Sequence, residues 1–257
     1  SLSGTLLETL KDGDFQDRAR GVLDCGQLLD QLQRLPNIEI LGTGYYHPIL
    51  PLIPPADWEA HLERWQRHAR RVFTRGQCKG FWPPELGFCM EMIPMLRRHG
   101  YEFVVVDSEH VQPVTPMGWE ALRYRPHVAR FGDDDIVVVV RDRELSSTQA
   151  NGLMLDEFLR EVEQRTQDCD FVPLVTTCCD GENGDWFRSA APNGNFWEAF
   201  YKPLQQRARA GGSAPQPVFI KDYLERFGTF GEVTVGPGAW NTGWNDGRGF
   251  VQWAGTQ

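Results

Sequence analysis

A chain of 257 residues, 41% hydrophobic and 24% charged, is long enough for one large domain with a buried core, and length alone does not force a second. Its net charge of −9 and pI near 5.2 disfavour a polyanionic partner, because phosphate binding needs clustered Lys and Arg, so no nucleic acid is expected. No apolar run approaches the ~18 residues of a membrane helix, and Ser1-Leu-Ser-Gly-Thr-Leu-Leu7 lacks the basic start of a secretion signal; the expectation is a soluble, cytoplasmic protein without a membrane partner.

In chain order, residues 4–12 and 17–34 carry helical spacing, through Leu6, Leu7 and Leu10 and then Val22, Leu23, Leu28, Leu29 and Leu32. Residues 38–41 read as a short buried strand. An amphipathic helix starts near Asp57 and runs to about Thr74, and a strand at 79–82 follows. Next come a helix from Phe88 to His99, stopped by Gly100, and a strand at 102–107. The run Ile136-Val-Val-Val-Val-Arg141 is the clearest strand, preceded by an exposed turn at 133–135. A helix at 153–166 and a strand at 171–177 complete the pattern, and residues 210–217 read as a surface loop. This alternation predicts an α/β fold with parallel strands and surrounding helices, in a sheet or a barrel. The six cysteines, with Cys178 and Cys179 adjacent and no CxxC pair, read as buried thiols of an intracellular protein.

Two segments carry the chemistry. Gly80-Phe-Trp-Pro-Pro-Glu-Leu-Gly-Phe88 and Thr177-Cys-Cys-Asp-Gly-Glu-Asn-Gly-Asp-Trp-Phe187 each end a strand-like run with a carboxylate set among glycines and aromatic rings. Two carboxylates facing one pocket can perform acid/base or nucleophilic work on a sugar bond, and positions just past strand C-termini are where α/β enzymes keep their chemistry. We single out Glu85 and Asp180. Glu85 follows two prolines that fix the local backbone; its other reading is a cap on the helix starting near Phe88. Asp180 has a second reading as an acidic turn, which the apolar strand before it and Trp186-Phe187 behind it weaken, since they would desolvate a carboxyl and raise its pKa. Glu182 competes for the same role.

Gly42-Thr-Gly-Tyr-Tyr-His-Pro48 also follows a strand. In it His47 would hydrogen-bond a sugar hydroxyl while Tyr45 or Tyr46 packs on the ring face; a satisfied structural histidine is the alternative. Trp82, Trp186, Trp240 and Trp244 lie in loop-like stretches, which suggests a stacking surface. Asp107, at the end of its strand, is a candidate substrate contact or a structural residue. No GxSxG, GxxxxGK[ST] or HExxH motif is present, and the six histidines offer no i,i+4 pair, so neither a metal nor a cofactor is expected.

The blocks Ile38-Glu-Ile-Leu-Gly-Thr-Gly-Tyr-Tyr-His-Pro48, Gly80-Phe-Trp-Pro-Pro-Glu85 and Asp180-Gly-Glu-Asn-Gly-Asp-Trp186, in this order and continued by Gly238-Ala-Trp-Asn-Thr-Gly-Trp244, resemble glycoside hydrolase family 57. The resemblance implies an incomplete (β/α)7 barrel and a retaining mechanism on α-glucans, with Glu85 matching the nucleophile and Asp180 the general acid/base. It implies an α-glucan or oligosaccharide partner and an enzyme of the amylase, 4-α-glucanotransferase or branching type. The family's His-Gln-Pro segment has no match here, and residues 1–257 are read as a single catalytic barrel domain truncated at both ends. Two other functions are weighed: a metal-dependent polysaccharide deacetylase, against which the missing histidine pair argues, and a non-catalytic glycan-binding protein that keeps the aromatic platform.

Overall fold

The valine-rich runs form the centre of the molecule. In the computed structural model, which describes residues 1–74, 78–181, 197–211, 215–242 and 249–255, β1 (Gly80–Phe81), β2 (Phe103–Asp107) and β5 (Asp134–Arg141) lie side by side and parallel. The four-stranded sheet has the order β1-β2-β5-β4, with β4 (His127–Phe131) antiparallel to β5. A separate antiparallel pair joins β3 (Val111–Pro113) to β6 (Val233–Val235). Every residue of β2 is buried, as a strand covered on both faces requires.

Alternate residues of these strands enter different clusters. Val104, Val106, Val138 and Val140 pack with Trp58, Leu62, Ile93 and Leu96, on the face covered by α4 (Pro55–Val72) and α5 (Ile93–Arg98). Phe103, Val105 and Val139 point the other way, toward Leu86, Leu174, Tyr223 and Trp240. Asp107 and Arg141 continue this second set, so both belong to the face that carries Trp240. Helix α4 shows why the sequence makes it: Pro55 opens it, Asp57 lies in its first turn, Arg70 and Arg71 in its last, each favourable for the helix ends. Its buried residues Trp58, Leu62, Trp65 and Ala69 recur at helical spacing.

Several elements differ from the sequence reading. The helix expected over 4–12 is α1 (Gly4–Lys11), whereas the one expected over 17–34 is split between α2 (Gly13–Ala19) and α3 (Cys25–Arg34), and Asp24 restarts the helix by accepting a hydrogen bond from the Gln27 N–H at 2.9 Å. Residues 38–41 form no strand; Gly42 alone bridges to Phe81 in parallel, at a point where a Cβ would overlap the Tyr101 ring. The helix expected over 88–99 is only the short α5, because Phe88 exchanges backbone hydrogen bonds with Gly238. The sheet is mixed rather than wholly parallel, since Gly132 (φ 61°) turns the chain straight from β4 into β5. Residues 171–177 contribute one parallel bridge, Thr176 to Arg141. Pro173 has no N–H to give, and β4 occupies the flank of β5 as far as Val138.

Beyond these lie α6 (Trp119–Tyr124), α7 (Arg143–Ala150), α8 (Leu155–Thr166), α9 (Lys202–Arg209), α10 (Ile220–Phe227) and α11 (Val251–Ala254). Among the described residues no helix is long and apolar enough to cross a membrane. Five chain segments therefore run in parallel to one edge: Gly42, β1, β2, β5 and Thr176. The residues that leave that edge are His47, Glu85, Asp107, Asp142 and Asp180.

Candidate active site

Glu85 sits in a turn of 3-10 helix, Pro84–Leu86, with φ 57° and ψ 19°. The described non-glycine residues with positive φ are His47, Glu85, Leu86 and Asn241; the first three leave two of the segments just named, and Asn241 follows Trp240, whose indole meets Glu85. A left-handed conformation costs a side-chain-bearing residue about 1–2 kcal/mol, and such strain gathers where a site is held in one geometry. The helix-cap reading of Glu85 does not describe its bonds. His47 Nε2 donates to Glu85 Oε1 at 2.8 Å, and Trp240 Nε1 donates to Oε2 at 2.7 Å. The backbone repeats the link, the Trp240 N–H donating to the Glu85 carbonyl at 3.0 Å. Each carboxylate oxygen thus has its own donor, and 19% of the side chain stays exposed.

A cleft of about 720 Å³ adjoins this group, lined by His47, Trp82, Gln149, Asp180 and Tyr201 together with Ser1, Leu2 and Glu39 among others, and Glu85 itself stands behind His47 rather than in the lining. His47 belongs to both, since it lines the cleft and holds Glu85. Asp180 is exposed there, in irregular backbone after the Thr176 bridge. Trp82 meets Trp240 edge to face, with ring centroids 6.0 Å apart. Tyr45 is fully buried, whereas Tyr46 is half exposed and lies against His61 and Arg64 of α4, outside the residues that line the cleft. Glu182, Trp186 and Trp244 lie outside the described residues.

Asp107 is fully buried and paired with Arg141, Nη1 to Oδ2 at 2.6 Å. Burial pushes the Asp107 carboxyl above its ordinary value, and the guanidinium beside it opposes that rise. Arg141 Nε also donates to the Cys178 carbonyl at 3.0 Å. Burial likewise pushes the Cys178 thiol up to about 12, which keeps it a neutral thiol rather than a nucleophile at neutral pH. Among the described residues, Glu59, Glu63 and His99 alone are close enough together to hold a metal ion, and none of them lines this cleft.

Arg141, Gln149 and Tyr201 were missed in the sequence. Arg141 did leave a signal, because a cation directly after four valines must find a partner if the strand is buried; its register partner is Asp107. Gln149 rides on α7, a helix without an apolar stripe long enough to announce it.

A mainly parallel sheet flanked by helices, with its carboxylates and aromatic rings gathered at the strand C-termini, has the fold of an incomplete (β/α)7 barrel. The chain belongs to glycosyl hydrolase family 57, whose sequence model matches residues 1–235. It is 31% identical over 145 residues to a 4-alpha-glucanotransferase from Thermococcus litoralis, covering 56% of this chain and 20% of that one. An alpha-amylase from Pyrococcus abyssi is 32% identical over 111 residues, 42% of this chain and 15% of its own. The match thus spans a fifth or less of these relatives. Among solved structures, an exo-type maltose-forming amylase from Pyrococcus sp. ST04 superposes with a TM-score of 0.72 at 15% identity, over 99% of this chain and 47% of that chain. The Thermococcus litoralis 4-alpha-glucanotransferase gives 0.66 at 21% identity, over 91% and 37%.

Proposed function

We propose that this chain carries the catalytic centre of a retaining enzyme acting on α-glucans, with Glu85 as nucleophile and Asp180 as general acid/base. The observation that carries the reading is the two-point hold on Glu85, one oxygen by His47 and the other by Trp240, with His47 and Asp180 both lining the adjoining cleft. Donors on both oxygens fix the direction of the carboxylate, which is what a nucleophile needs.

In the first half-reaction a Glu85 oxygen attacks the anomeric carbon while the protonated Asp180 gives its proton to the glycosidic oxygen. The bond to the leaving sugar breaks, and a glycosyl ester forms on Glu85. In the second, the Asp180 carboxylate takes a proton from water or from a sugar hydroxyl, whose oxygen attacks the same carbon and releases Glu85. Two inversions retain the anomeric configuration. Water as acceptor makes the protein a hydrolase, and a sugar hydroxyl makes it a transferase or branching enzyme. Trp82 offers a ring to the cleft on which a pyranose stacks; in our proposal Trp240, buried against it, Tyr46, Trp186 and Trp244 complete the aromatic set. Glu182 and Asp107 complete the polar set, Asp107 acting through Arg141.

A maltooligosaccharide incubated with the full-length protein tests this. We expect shorter sugars from a hydrolase, or longer and branched ones from a transferase, and a Glu85→Gln variant that is slower by several orders of magnitude while still folded. Near-normal turnover in that variant would remove Glu85 from the mechanism.

A further inference from the structure

Arg141 is the last residue of β5 and touches three things at once. Its Nη1 holds the buried Asp107 carboxylate at 2.6 Å, which anchors the guanidinium at the end of β2. Its Nε donates to the Cys178 carbonyl at 3.0 Å, two residues ahead of Asp180. Its plane lies 5.5 Å from the centroid of the Trp240 ring, within cation-π range, and that indole donates to Glu85.

The strand that leads to Asp180 pairs with the sheet only at Thr176, so it needs other restraints. The Asp142 N–H donates to the Thr176 carbonyl at 2.8 Å, and the Cys178 N–H donates to Ser146 Oγ at 3.1 Å. Arg141 takes the carbonyl side of Cys178. With both polar ends of that residue tied to β5 and α7, the chain enters Asp180 from a fixed point.

We propose that Arg141 is a positioning residue that sets the two carboxylates in register, Asp180 through the Cys178 carbonyl and Glu85 through the Trp240 ring. The proposal rests on the assignment of Glu85 and Asp180 as the reacting pair. Arginine is suited to the task because its planar fork gives separate, directed N–H groups from one rigid plane, whereas lysine offers a single point charge. Asp107, wholly enclosed, orients that fork and does not meet substrate.

The test compares Arg141→Lys, which keeps a cation against Asp107, with the double variant Asp107→Asn/Arg141→Gln, which removes both buried charges together and so leaves neither unpaired. Both are measured in the full-length protein beside Glu85→Gln and Asp180→Asn. We expect kcat to fall about a hundredfold in each Arg141 variant, the size of effect that a misplacement of about 1 Å produces. KM should move less than about threefold and cooperative unfolding should be kept, since ground-state sugar contacts remain. A folded Arg141 variant with wild-type kcat, alongside dead Glu85→Gln and Asp180→Asn, would overturn the positioning role alone. Activity surviving in the two carboxylate variants would overturn the underlying assignment instead.

Discussion

In the mechanism we propose, Glu85 is the residue on which the chemistry turns, and its two hydrogen-bonding neighbours hold it in place. His47 and Trp240 come from segments 38 and 155 positions away and bond different carboxylate oxygens, so the side chain has little freedom left to lose when a substrate arrives. Trp240→Phe keeps the ring against Trp82 but deletes the donor to Oε2. A hydrogen bond to a charged group contributes about 1.5–3 kcal/mol, and the partial exposure of Glu85 favours the lower end. We therefore expect kcat to fall roughly tenfold, with KM for a maltooligosaccharide little changed; an unaltered kcat would mean that the indole N–H does not orient the nucleophile. Glu85 could be found in the sequence because two prolines and a tryptophan before a lone carboxylate form a distinctive block. Arg141 was harder, since a cation ending a strand declares only that it needs a partner, and the register with Asp107 is a matter of tertiary structure.

The elements act through what leaves their C-terminal ends. Residues 236–240 show how little regular structure this takes: Gly238 exchanges hydrogen bonds with Phe88 at 2.9 and 3.1 Å, the His110 ring is bonded to the Ala239 carbonyl at 2.9 Å, and Trp240 is delivered to Glu85. A Cβ on Gly238 would overlap the His110 ring. Overpacking of this kind costs about 1–3 kcal/mol, so Gly238→Ala should lower stability by that amount in denaturant unfolding and reduce activity with it. Full activity would show that the bridge tolerates displacement without moving Trp240. Strands made of consecutive valines were readable, as was α4 with its Trp58, Leu62, Trp65 stripe. Residues 38–41 and 171–177 were apolar enough to pass for strands, but pairing depends on the neighbouring edge: beside 38–41 stands only the two-residue β1, and beside 171–177 β4 had taken most of the edge of β5. The hairpin of β4 was hidden because its turn end is charged, Arg130 of β4 pairing across with Asp135 of β5.

At the scale of the whole molecule, the sheet gathers five parallel chain ends at one edge and shields its other parts from protons. His127 on β4 is fully buried, with its two ring nitrogens directed at the Phe230 and Leu122 carbonyls. Burial pushes its pKa below the ordinary 6.5, although the carbonyls partly oppose the shift. The unfolded chain therefore takes up a proton near pH 6.5 that the folded one refuses, and stability falls as the pH drops below that value toward the folded pKa. A His127→Gln variant should lose this part of the slope in melting temperature between pH 7 and about pH 5; an unchanged slope would place the acid sensitivity elsewhere. Membership of family 57 and the barrel fold are common to enzymes that hydrolyse, transfer and branch, so the step they would share with this protein is the one to test first. Incubation with a fluorinated α-glucosyl fluoride, which slows breakdown of a glycosyl ester, followed by peptide mass spectrometry, tests it directly. Our account predicts a glycosyl group on the peptide that contains Glu85; a label on Asp180, or turnover that gives product of inverted configuration with no labelled peptide, would contradict it.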